Sequence, residues 1–154
     1  MLNDLYYRIW RHITRSLGLD IGDKRIGVAL SDPQGILASP FTIIERRDET
    51  ADVEAITNII SQKQVKQIVV GLPRSMDGSL GKQAEKVEAF IQKLCSHTEV
   101  PVEFRDERLS TVSAKRLMQA VDTKKTREKV RHDAIAAALI LQGYLDEGHE
   151  PELP

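Results

Sequence analysis

A chain of 154 residues that is 41% hydrophobic and 29% charged has the balance of one soluble globular domain with a single core. Its formal net charge of −1 supplies no global field toward nucleic acid or an anionic membrane, so polyanion binding has to come from local basic patches. The one cysteine, Cys95, excludes an intramolecular disulfide and suits a reducing cytoplasm; it is expected as a small apolar residue on or beside the buried face of a helix.

Residues 1–16, MLNDLYYRIWRHITRS, read as an N-terminal extension. Arg8, Arg11 and Arg15 interrupt any signal-peptide core, while Tyr6, Ile9, Trp10 and Ile13 are spaced as one stripe of a short helix. The domain proper is expected over 17–146. LGLDIG (Leu17 to Gly22) is a first strand, DKR a turn, and IGVALS (Ile26 to Ser31) a second strand. DPQG is a turn signal, and a third strand follows over Ala38 to Ile44. Connections this short make the three strands antiparallel neighbours.

The rhythm then changes. Val53, Ile56, Ile59 and Ile60 predict a helix through about Gln64, and QIVVG (Gln67 to Gly71) a strand buried on both faces. A second helix is expected from Gly81 to His97, a fifth strand from Pro101 to about Glu107, and a third helix after Ser110 or Thr111. A charged segment then leads to a last helix over Asp133 to Asp146. Residues 147–154 read as a tail. The longest apolar run, AIAAALIL, falls far short of the roughly 18 residues that cross a bilayer. The order β-β-β-α-β-α-β-α-α predicts an α/β fold with a five-stranded mixed sheet, order 3-2-1-4-5, and helices on both faces. The end of strand one is then the switch point, where ligands bind.

Asp20 stands near that end, between Leu19 and Ile21. Glu107 closes strand five, and Asp133 opens the last helix. Two unit charges about 4 Å apart repel by about 4 kcal/mol at an effective dielectric of about 20. Three carboxylates at one edge therefore call for a cation. Mg²⁺ or Mn²⁺ suits oxygen donors, and two such ions about 3.5–4 Å apart serve phosphodiester hydrolysis. Asp133 taken alone is equally a carboxylate complementing a helix N-terminus.

Four stretches, LGLDIGDKRIGVALSD, VVGLPRSMDGSLGKQAEKVEAF, FRDERLST and HDAIAAALILQGYL, resemble the YqgF family in order and spacing over about Leu17 to Leu145. This is the Holliday-junction-resolvase-like or pre-16S ribosomal RNA nuclease family. The resemblance implies a ribonuclease H-like fold and a hydrolase acting on ester bonds, a two-metal-ion nuclease with Asp20, Glu107 and Asp133 as catalytic and metal-binding residues. It selects Glu107 over Asp106; neighbours on a strand face opposite ways, so only one of the two can reach the metals. It also implies a cytoplasmic role in maturation of the small-subunit ribosomal RNA precursor. The sixteen-residue extension has no counterpart in the usual family start, and His132 stands where an apolar residue is expected.

Polymer-holding residues are expected beside the carboxylates. Arg74 and Ser75, in GLPRSMDGS, follow strand four to the same edge. The stretch 105–133 holds nine basic and five acidic residues, a local balance of +4. From it Arg108, Lys129 and Arg131 are taken as substrate contacts, with Lys24 and Arg25 from the first turn. Lys24 and Arg25 are expected to point away from the sheet core. A solvated loop and an ordinary turn are the bland alternatives for these segments. With seven aromatics, three of them in the extension, no stacking platform emerges, so recognition by shape and backbone is expected. The partners are nucleic acid (a structured RNA precursor or branched DNA) and small-subunit assembly intermediates, with no membrane and either a monomer or a homodimer. Competing functions are a junction-resolving DNA endonuclease, a non-catalytic ribosome-assembly factor, and an actin-like ATPase lobe, which 154 residues make too small to enclose a nucleotide.

Overall fold

A computed structural model describes residues 15–73, 81–106 and 129–147, with the side chains of 129–131 excepted. Within them lie five strands, β1 (Arg15–Ile21), β2 (Arg25–Ser31), β3 (Ala38–Glu45), β4 (Val65–Leu72) and β5 (Val102–Asp106), and three helices, α1 (Glu49–Lys63), α2 (Lys82–Cys95) and α3 (Lys129–Asp146). The sheet order is β3-β2-β1-β4-β5, as expected. β1, β2 and β3 are antiparallel, and β4 and β5 run parallel to β1.

Strand alternation divides the core. Leu17, Leu19, Ile21, Val28, Ile68 and Val70 pack with Val53 and Ile56 of α1 and Val87, Phe90 and Leu94 of α2. The residues between them, Ala29 and Val69, face the other way and meet Ala137, Ile140 and Leu141 of α3. β4 is buried on both faces, which is why QIVVG shows no alternation. The expected third helix after Ser110 lies outside the described residues.

Two element starts and one side-chain placement differ from the sequence reading. β1 begins at Arg15, so Arg15 and Ser16 belong to the sheet; the Ser16 backbone N–H donates to the buried Ser31 hydroxyl at 2.8 Å, a partner distant in sequence. α3 already runs from Lys129, so Asp133 does not open it, and its first turn carries no acidic residue. Cys95 ends α2 on its exposed side, not its buried one; Leu94 takes the inward position. The DPQG turn forms as read: Asp32 Oδ1 accepts from the Ile36 and Leu37 amides, and Gly35 adopts a φ of 72° that favours glycine.

Candidate nuclease site at the carboxyl end of β1

Asp20 is the penultimate residue of β1, half-buried at the sheet's edge. Its apolar neighbours Leu19 and Ile21 face α1 and α2. Alternation turns Gly18 and Asp20 toward α3. The carboxylate therefore does not enter the aliphatic core; it only looks buried when the strand is read linearly.

Two glycines bring α3 onto this face. A Cβ on Gly18 would lie 2.7 Å from the Ala137 carbonyl oxygen and 2.8 Å from Leu141 Cβ. A Cβ on Gly27 would lie 1.9 Å from the carbonyl oxygen of Asp133. Gly27 is the cross-strand partner of Asp20. Asp133 thus rests on the residue directly opposite Asp20, and the two carboxylates share one end of one face. Asp133 sits in the second turn of α3, so its role as a helix-start carboxylate falls away.

Arg25 also belongs to this face, two residues from Gly27 on β2. Its Nε lies 3.3 Å from Glu45 Oε1, and its Nη1 lies 3.9 Å from Asp133 Oδ2; the Arg25 and Asp133 side chains are each 36% exposed. The Arg25 side chain thus lies between two acids, Glu45 and Asp133. Lys24, one residue earlier, is exposed. The turn itself is tight, with the Gly22 amide donating to the Arg25 carbonyl at 2.9 Å.

Glu107 lies outside the described residues, but the strand leading to it is informative. Phe104 pairs with Val70 and Asp106 with Leu72, both on the α1/α2 face. Asp106 is therefore on the wrong face to meet Asp20 and Asp133. Arg105 lies on the α3 face, where its guanidinium packs against Gly143 and pairs with Glu147. Arg74, Ser75 and Arg108 are outside the described residues, and Lys129 and Arg131 fall in the opening turn of α3. Among the described residues, no group of three or more His, Cys, Asp and Glu side chains is gathered to hold a metal ion. The donor types present at the edge are carboxylate oxygens, which fit a hard divalent cation such as Mg²⁺ or Mn²⁺.

Sequence reasoning missed Arg46 and Asp52. Asp52 is 2% exposed, the one buried charged residue among those described. Its Oδ2 accepts from Arg46 Nε at 3.1 Å and its Oδ1 from the Arg47 amide at 3.1 Å. An acidic residue in the first turn of a helix reads as dipole complement, and only the partner 6 residues upstream reveals more. A groove of about 540 Å³ between α2 and β5, lined by Ile91, Cys95, Val102 and Phe104, lies on the opposite face and has no part in this site.

The model of the RuvX family, described as "Holliday junction resolvase", matches residues 14–147. This chain belongs to the RuvX family. That is the YqgF resemblance under its other name, and it spans all five strands and three helices described. Two of its relatives carry the name "Putative pre-16S rRNA nuclease". The one from Desulforamulus reducens is 46% identical over 134 residues, covering 87% of this chain and 98% of its own. The one from Moorella thermoacetica is 49% identical over 132 residues, covering 86% and 94%. Among solved structures, Thermus thermophilus RuvC in complex with a Holliday junction substrate aligns with a TM-score of 0.62 at 13% identity, covering 91% of this chain and 99% of that one. The fowlpox virus Holliday junction resolvase aligns with a TM-score of 0.55 at 11% identity, covering 87% and 99%. These likenesses establish the ribonuclease H-like fold.

Proposed function

We propose that this chain is a metal-dependent nuclease that hydrolyses phosphodiester bonds in maturation of the 5′ end of the 16S ribosomal RNA precursor. The observation that carries the reading is the seating of Asp133 on Gly27, opposite Asp20, in a member of a family whose relatives bear that nuclease name. On this reading residues 15–146 form one nuclease domain, with the N-terminal extension and the 147–154 tail outside it. Asp20, Asp133 and Glu107 would hold two Mg²⁺ or Mn²⁺ ions. Bound there, the ions supply Lewis acidity toward the scissile phosphodiester.

The chain's own residues hold the geometry. β1, paired on both sides, fixes the backbone of Asp20. The Arg25 guanidinium, 3.9 Å from Asp133 Oδ2, offsets part of the site's acidic charge and is itself assigned as a contact to the phosphate backbone. Lys24, Arg74, Ser75, Arg108, Lys129 and Arg131 are assigned as contacts to the phosphate backbone, which orient the polymer without reading bases. Precursor RNA and small-subunit assembly intermediates are the proposed partners, in the cytoplasm. No helix among the described residues is long and apolar enough to cross a membrane. Cleavage of branched DNA is a second reading, favoured by the RuvC likeness.

The test is cleavage of a small-subunit precursor RNA with Mn²⁺ or Mg²⁺ by the wild-type chain and by Asp20→Asn, with a four-way DNA junction in parallel. Metal-dependent RNA cutting, lost in Asp20→Asn with an unchanged circular dichroism spectrum, is the expected result. Cutting confined to the junction supports the second reading. Equal activity in both proteins removes Asp20 from the site, and binding without cleavage of either substrate replaces the nuclease with an assembly factor.

A further inference from the structure

We infer that Arg46 is a positioning residue for Asp20, acting through the β1–β2 turn from the face of the sheet opposite α3. Four contacts converge on this one side chain and its backbone. Its Nη1 donates to the Gly22 carbonyl at 3.0 Å, and its amide donates to the Lys24 carbonyl at 2.9 Å. Its Nε bonds Asp52 Oδ2 at 3.1 Å, and its guanidinium lies 4.9 Å from the centre of the Phe90 ring. The turn that follows Asp20 is thereby tied at two carbonyls to α1 through Asp52 and to α2 through Phe90.

The chemistry of the pair points to placement. Taking a carboxylate and a guanidinium out of water costs what their attraction returns, and apolar residues of similar volume hold such a position as well or better. What the pair does at this place is something an apolar pair cannot do. The planar guanidinium directs one N–H at Gly22 while another holds Asp52, a fork that lysine lacks. Asp52 is itself oriented, because its second oxygen accepts the Arg47 amide. Gly22 lies two residues beyond Asp20, and its own amide closes the turn onto the Arg25 carbonyl. A shift of the turn therefore moves Asp20 on one side and Arg25, with its tie to Asp133, on the other. Mutual repulsion of the site's carboxylates pushes outward on this strand end, and the fork opposes it.

The role rests on the nuclease reading for its consequence but not for its structure, and four measurements on the full chain separate the two. The variants are Arg46→Lys and the double change Arg46→Met with Asp52→Leu, which removes both charges together. Urea unfolding of the double variant is expected at or above the wild-type midpoint, which shows that the fold does not need the pair. Amide exchange of residues 22–25, read without metal, is expected to accelerate in both variants, with exchange at Leu17 to Leu19 unchanged. Mn²⁺ titration is expected to give about tenfold weaker binding in both variants. In cleavage, kcat is expected to fall and KM to hold. Wild-type exchange in the turn, or wild-type Mn²⁺ affinity in the double variant while Asp20→Asn abolishes binding, overturns the positioning role. Mn²⁺ binding unaffected by Asp20→Asn overturns the metal reading instead, and the exchange data then decide the clamp alone.

Discussion

On one face of the sheet, α1 and α2 stand off on large aliphatic side chains: Leu17, Leu19, Val28, Ile56, Ile68 and Leu94 are each fully buried there. On the other face α3 lies against Gly18, Gly27 and Ala29, with Ala137 and Ala138 on its own contact surface. The first face stabilises by volume, since buried apolar area sets its contribution. The second gives up side-chain volume for proximity, and that proximity seats Asp133 on Gly27, the strand partner of Asp20. A helix held off by leucines would carry its carboxylate to a different place. The bulk of the aliphatic core thus lies on one side of the sheet and the close approach of α3 on the other, with the Arg46 clamp reaching the β1–β2 turn from the aliphatic side.

Substitutions on the two faces are expected to break this division in different ways. Ile56→Ala, on the aliphatic face, is expected to cost about 2–5 kcal/mol in urea unfolding, while cleavage per folded molecule stays at the wild-type rate; a comparable loss of activity would show that the faces are coupled. Gly27→Ala is expected to cost less, about 1–3 kcal/mol, because α3 has to move off the sheet. Its cleavage is expected to drop by about a hundredfold, since the added Cβ falls on the Asp133 backbone. Wild-type cleavage by Gly27→Ala would mean that the close approach does not set the site.

Gln142 pins the far end of α3 to the strand edge. Its Oε1 accepts from the Ala38 amide at 2.8 Å and its Nε2 donates to the Ile36 carbonyl at 3.0 Å. Gln142→Ala is expected to cost about 1 kcal/mol, with exchange at residues 36–38 accelerated.

The smallest effect is a pH dependence on the same face. Burial raises the Tyr144 phenol above its ordinary 10.0, with Glu103 and Glu147 adding to the shift. The folded chain holds that proton more tightly than the unfolded chain. The contribution is therefore complete below the unfolded value and is lost as pH rises through the higher folded value. Tyr144→Phe is expected to remove that part of the alkaline loss in unfolding curves between about pH 9 and 11.

Alternating and helical hydropathy in the sequence were enough to order the strands 3-2-1-4-5 and to mark the end of β1 as the place to look. They were enough because pleat and helix periods are local properties, and the chain length between strands decides which can be antiparallel neighbours. Of the boundaries misread, Ser16 joins the sheet through a distant partner, Ser31; α3 begins inside a run of charged residues, where no apolar periodicity marks a helix. The acidic partners of Arg25 were not legible because they lie 20 and 108 positions away in the chain. The pairing of Arg46 with Asp52 was equally silent, since both residues are ordinary for a strand end and a helix start.

The sequence by itself determined which residues face the large core, where the turns fall, and which carboxylate ends the first strand. Tertiary packing is what set Asp133 against Gly27, the cross-strand partner of Asp20. That contact depends on how closely two backbones approach, and the approach is set by absent Cβ atoms at Gly18 and Gly27. Hydropathy along a chain registers what a side chain buries; it carries no record of the space a glycine leaves for a helix more than a hundred residues away.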